Sequence, residues 1–197
     1  MRALLLGEGN TDRCLLPALR WVLRTATDAA WSVDFVDPSR LGGAPDLASK
    51  VLQVEPCDLL FIHRDRDRST VEQRLAEIAT AAPDRLHVPV VPIRMMEAWL
   101  LLDERAIRTA AGRPAGKEPL NLPPAGAVER DADPKDTLKA ALLKACGSGR
   151  ARSRFRADAA VYRVADLIED WAGHRRLEAF QRLETDVAAA LSQLSPR

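Results

Sequence analysis

Four acidic side chains each follow a short apolar run: Glu8 after ALLL at 3–6, Asp65 and Asp67 after DLLFI at 58–62, and Glu97 after the run from Leu86 to Ile93. If those runs are strands of one parallel sheet, the carboxylates fall at its carboxyl edge, where loops and helix N-termini converge and ligands gather. Positions i and i+2 of an extended chain point the same way, so Asp65 and Asp67 can present two carboxylates to one point. Without a cation, gathered carboxylates repel and at least one pKa rises; Mg2+ or Mn2+ neutralises them and accepts their oxygens. A centre built from Glu8, Asp65, Asp67 and Glu97 suits phosphodiester hydrolysis, in which a metal polarises the phosphoryl oxygen and a second can clamp the leaving oxygen. Each acid also has a plainer role. Asp65 and Asp67 can pair with the alternating arginines of R-D-R-D-R, Glu8 can be an exposed turn residue between Gly7 and Gly9, and Glu97 can cap a helix. Recurrence of acids at one predicted edge favours the metal reading.

Cations lie close by in sequence. Arg64, Arg66, Arg68 and Arg94 can bind phosphate oxygens, which guanidinium matches bidentately. Arg150, Arg152, Arg154 and Arg156 follow within GSGRARSRFR, with Phe155 and Tyr162 interleaved, and Asp158 is the one acid between Gly149 and Arg163. That pattern suits phosphate contact aided by base stacking; a solvated loop is the alternative. His63, ending a buried run, is read as structural and left out of the catalytic set. Cys14, Cys57 and Cys146 show no C-x-x-C pairing and are read as reduced thiols, and the four tryptophans as core. The chain lacks G-x-x-x-x-G-K-[ST], G-x-G-x-x-G and G-x-S-x-G, which removes support for ATP hydrolysis, dinucleotide binding and a serine hydrolase.

The elements that must position these residues follow from periodicity. Residues 3–6, 31–36, 58–62 and 86–93 read as strands. Between them lie helical spacings: Leu15, Leu16, Leu19, Val22 and Leu23, with Pro17 early; Leu47, Val51 and Val54; and Val71, Leu75 and Ile78 behind Ser69 as cap. MMEAWLLLD reads as a helix after the fourth strand. The β-α-β-α-β-α-β-α order predicts an α/β fold, a mostly parallel Rossmann-like sheet with helices on both faces. Residues 111–133, rich in Pro and Gly, are expected to be a connector, either lid or linker. Residues 134–197 are expected to form a helical extension packing on the first domain, with Asp133 and Pro134 starting a helix that Gly147 ends.

The GEGNTD turn, the D-x-D after an apolar strand and MMEAWLLLD together resemble the TOPRIM fold. The likeness is strongest to small TOPRIM-like bacterial proteins found beside AAA- or ABC-type ATPases in defence loci, and to the nuclease half of the OLD group. It covers residues 1–104, within a domain drawn as 1–110, and rests on E-G-x-T-[DE] with the downstream D-x-D. The resemblance implies that Glu8 is the general acid/base or metal-ligand glutamate, that Asp65 and Asp67 are the metal-binding pair, and that Glu97 is the acid opening the helix after strand four. It implies a Mg2+- or Mn2+-dependent nuclease in anti-phage defence, with nucleic acid as substrate and an ATPase as partner. The His63-Arg64 pair departs from the family, where small or apolar residues are commoner, and brings positive charge beside the site. Rival readings are a non-catalytic interaction or sensing subunit of an ATPase complex, and a receiver-like switch needing a single acid.

Composition fits these readings without choosing among them. The 197 residues are 47% hydrophobic and 29% charged, and Lys plus Arg number 29 against 28 Asp plus Glu, so any polyanion site must be local. No apolar run reaches the roughly 18–20 residues that cross a bilayer, and the start of the chain lacks a signal-peptide core, so a cytoplasmic protein with no membrane partner is expected.

Overall fold

Continuous apolar runs become the inner strands of the sheet. β1 (Arg2–Leu6) and β3 (Leu59–His63) lie at the centre of a four-stranded, all-parallel sheet of order β2-β1-β3-β4, flanked by β2 (Ser32–Val36) and β4 (His87–Val90). β3 is buried at every position, whereas the edge strands β2 and β4 alternate between buried and more accessible residues. This follows from position, since an inner parallel strand is covered on both faces. The computed structural model describes residues 1–43 and 46–194. The last three residues of the expected 134–197 extension lie outside that range.

The pleat sorts side chains into two cores. Leu4, Leu6, Leu60 and Ile62 face α2 (Leu47–Gln53) and α3 (Val71–Ala81). Ala3, Leu5, Phe61, Val88 and Val90 face a larger layer that contains α1 (Leu16–Ala26) and most of the C-terminal set. That set comprises α4 (Glu97–Leu100), α5 (Glu104–Ala110), α6 (Pro134–Cys146), α7 (Arg150–Arg154), α8 (Ala157–Leu167) and α9 (Glu178–Leu194). Phe180 of α9 joins its parts, with its ring 5.3 Å from Trp99, 6.1 Å from Trp21 and 6.4 Å from Trp171. The fold is thus Rossmann-like α/β with C-terminal helices that share a core with one face of the sheet. Among the described residues, no helix is long and apolar enough to cross a membrane.

Local signals account for most boundaries. Pro17 falls in the first turn of α1, where its missing N–H costs nothing, and a 3-10 turn, Asn10–Leu15, precedes it. Asp133 caps α6 by accepting from Asp136 N at 2.9 Å, and Gly147 ends that helix with φ of 87°. Three details differ from the sequence reading. Thr70, not Ser69, caps α3, accepting from Gln73 N while the Gln73 side chain accepts from Thr70 N. β4 stops at Val90, and α4 is a single turn followed by α5. The connector is anchored: Leu120 and Val128 are buried, and Arg108 donates to Glu118 O at 2.7 Å.

Candidate metal centre

Strand order places the site. The chain leaves β1 for β2 on one side and β3 for β4 on the other, so the loops after β1 and β3 diverge and leave a crevice at their carboxyl ends. Leu6 stands opposite Ile62 in the ladder, which brings the residues just past each strand together. Asp65 N donates to Glu8 Oε2 at 3.0 Å across a sequence gap of 57. Asp12 fixes the Glu8 loop from below, its Oδ2 accepting from Glu8 N at 2.6 Å and Gly9 N at 3.0 Å. Gly7 permits this, because a Cβ there would meet Asp12 Oδ2 at 2.7 Å and Phe35 at 3.1 Å.

One ligand atom each from Glu8, His63 and Asp65 lie within 4.8 Å of one another, and this acidic-histidine group could hold a metal ion. His63 is 1% exposed. Its Nδ1 lies 2.9 Å from Val90 O, and because a carbonyl only accepts, Nδ1 carries a proton. Nε2 then faces Asp65 Oδ1 at 3.4 Å and Asp12 Oδ1 at 3.8 Å. His63 Nε2 and Asp65 Oδ1 are both buried without a hydrogen-bond partner. A nitrogen lone pair set against carboxylate oxygens calls for a positive centre between them, either a proton or a metal. Burial alone would lower the His63 pKa, but the carboxylates of Asp65 and Asp12 outweigh it and raise it to about 9.

The structure separates the other predicted ligands from this group. Asp67 has φ of 48°, is 54% exposed at its side chain and points to Arg74, whose Nη2 is 3.6 Å from its Oδ2. The expectation that Asp65 and Asp67 share one direction is corrected: β3 ends at His63, the chain turns, and the i, i+2 pair that converges is His63 and Asp65. Glu97, 5% exposed, is held protonated to higher pH by burial and by the charges of Asp65 and Asp12, and so lies near the group without joining it. His63 and Asp12 were not among the sequence-derived site residues. The alternation rule pointed to His63 once the strand end was known; Asp12 had a signal in its place four residues after Glu8, in a turn that needs a backbone acceptor.

The arginines divide likewise. Arg64 spans Glu8 and Glu77 at 3.1 Å each, and Arg74 donates to Asp65 O at 2.9 Å while pairing with Glu77 at 2.8 Å. The Nε–H groups of Arg64 and Arg66 are buried without acceptors, two orphaned donors on the turn that carries Asp65. Arg94, at the carboxyl side of β4, is held at φ of 69°, a conformation that a non-glycine residue seldom adopts. Among the described residues, Arg66, Arg68, Arg94, Arg150, Arg152, Arg154 and Arg156 have no carboxylate partner within ion-pair distance, and Arg152 donates to Leu143 O at 2.8 Å. Arg150, Arg152, Arg154 and Arg156 are exposed on and beside α7. Lys139 of α6 pairs with Asp158 at 2.6 Å. The three cysteines are free, and burial, with the charges of Glu97, Asp166 and Asp12, pushes the Cys14 thiol up to about 12. Comparison with family models, curated proteins and solved structures returned no match.

Proposed function

We propose that the protein is a divalent-cation-dependent phosphodiesterase acting on nucleic acid, with Glu8 and Asp65 as the carboxylates that hold Mg2+ or Mn2+. The observation that carries this reading is the convergence of Glu8, His63 and Asp65 at the crevice between β1 and β3, with orphaned polar atoms facing each other inside it. A cation bound there would supply charge neutralisation at a phosphoryl group and activation of water. Glu8 is steadied by Asp65 N and Arg64, and each of its oxygens retains a lone pair with which to orient a water or accept a proton. The free Nε–H donors of Arg64 and Arg66 suit phosphate oxygens, and orphaned buried donors of this kind mark a place for an absent acceptor. Arg68, Arg94 and the arginines of 150–156 extend the cationic surface for a longer polyanion. A defence role with an AAA- or ABC-type ATPase partner rests on the TOPRIM-like motifs alone.

Cleavage of DNA and RNA substrates in Mn2+ tests this. Glu8→Ala and Asp65→Ala are expected to lose on the order of 10²–10⁴ in rate, as removal of a positioned acid, base or ligand does. Asp67→Ala, whose carboxylate serves Arg74, is expected to keep most activity. Cleavage unchanged in both Glu8 and Asp65 variants would remove these residues from the mechanism. The second reading, a non-catalytic subunit that docks on an ATPase, draws on Arg64, which already neutralises Glu8 and Glu77. It predicts no turnover, and partner binding that survives both substitutions.

A further inference from the structure

With Nδ1 committed to Val90 O, the neutral His63 ring has one lone pair left, on Nε2, and that atom is buried, unpartnered and turned toward Asp65 Oδ1 and Asp12 Oδ1. An N–H donated to a backbone carbonyl is the contact that fixes the tautomer and orientation of a metal-ligating histidine. The oxygens of Glu8 and Asp65 lie within the same 4.8 Å span. Ligand type decides which ion such a set prefers. Mg2+ favours oxygen ligands and retained water, whereas first-row transition ions accept imidazole nitrogen readily.

We propose that His63 Nε2 is itself a metal ligand, completing with Glu8 and Asp65 an imidazole-dicarboxylate centre that takes a first-row transition ion such as Mn2+ in preference to Mg2+. This rests on the reading of the crevice as a cation site and goes beyond it in naming the third ligand and the class of ion. Asp12 then acts as a positioning residue, holding the Glu8 loop through Oδ2 while Oδ1 faces the imidazole.

The test is made on the full chain without nucleic acid. Protein carrying 15N-labelled histidine is loaded with Mn2+ and the electron spin-echo modulation is read for a directly bonded nitrogen, while Mn2+ and Mg2+ are titrated calorimetrically. The expected result is a 15N coupling, with Mn2+ bound at least about tenfold more tightly than Mg2+. His63→Gln is expected to abolish the coupling and bring the two affinities together. His87→Gln, at the amino end of β4, and His174→Gln, in the turn before α9, alter the other two of the three histidines; each is expected to keep both, and together they assign the signal if His63→Gln does not fold. Mn2+ binding without 15N coupling, or equal affinity for the two ions, overturns the proposal and leaves a proton between Nε2 and Asp65. Failure of the phosphodiesterase reading looks different: the coupling is present and no substrate is cut.

Discussion

Asp12 holds the loop that carries Glu8, and Gly7 leaves room for it. A Cβ at position 7 would lie 2.9 Å from Asp12 Cβ as well as 2.7 Å from Oδ2, so the whole side chain would have to move. Gly7→Ala is therefore expected to cost about 1–3 kcal/mol in urea denaturation, as overpacking does. It should also weaken Mn2+ binding, and a variant unchanged in both would show that the loop does not depend on this contact. Glu97 gives a second test. Its carboxyl ionises near the ordinary 4.5 when unfolded, while burial, reinforced by Asp65 and Asp12, keeps it protonated to higher pH in the fold. The folded state then binds more protons above pH 4.5, so stability falls as pH rises through the folded pKa. Glu97→Gln removes that loss, and urea midpoints should show it more stable than the wild type at about pH 7.5, with the advantage shrinking toward about pH 4.5. A variant less stable at the higher pH would mean that the attraction of Lys135 dominates.

At the scale of elements, α3 supports the site from behind: Arg74 and Glu77 hold Asp67, the Asp65 carbonyl and Arg64. Its start depends on the reciprocal Thr70–Gln73 cap. Thr70→Ala is expected to destabilise the protein by about 1 kcal/mol, lowering the thermal midpoint, because the Gln73 backbone N–H loses its acceptor. A midpoint unchanged within error would show that packing of Ile78 and Leu75 alone fixes the helix. The sequence made α3 legible through its apolar spacing and misplaced its cap by one residue, since Ser69 and Thr70 are chemically equivalent caps and the turn geometry decides between them. The connector was illegible for a different reason: Leu120 and Val128 have no periodic neighbours, and their burial is supplied by other parts of the fold.

Across the whole molecule, the C-terminal helices and α1 meet at one aromatic group. His174 lies in it, 4.5 Å from Trp171 and 5.5 Å from Phe180 between ring centres, with Nε2 donating to Trp99 O at 2.9 Å. Burial lowers its pKa below the ordinary 6.5. As pH falls through 6.5 the unfolded chain takes up a proton that the folded chain refuses, so this residue withdraws stability toward acid pH. His63 has the opposite sign, with its stabilisation complete below 6.5 and lost as pH rises through about 9. The two must be separated by substitution. In chelator-treated protein, His174→Gln is expected to lose less stability than the wild type between about pH 7.5 and 5.5 in urea denaturation. A parallel pair of curves would show that His174 does not titrate on unfolding. The sequence by itself determined the parallel sheet and the placing of Glu8 and Asp65 past the ends of two of its strands, because those features follow from runs of neighbouring residues. Tertiary structure alone decided that His63 and not Asp67 joins them. A strand ends where its partner stops offering hydrogen bonds: His63 pairs with Val90, Arg64 N donates to Val90 O, and β4 goes no further. That limit is set by a segment 27 residues away, which no local pattern encodes.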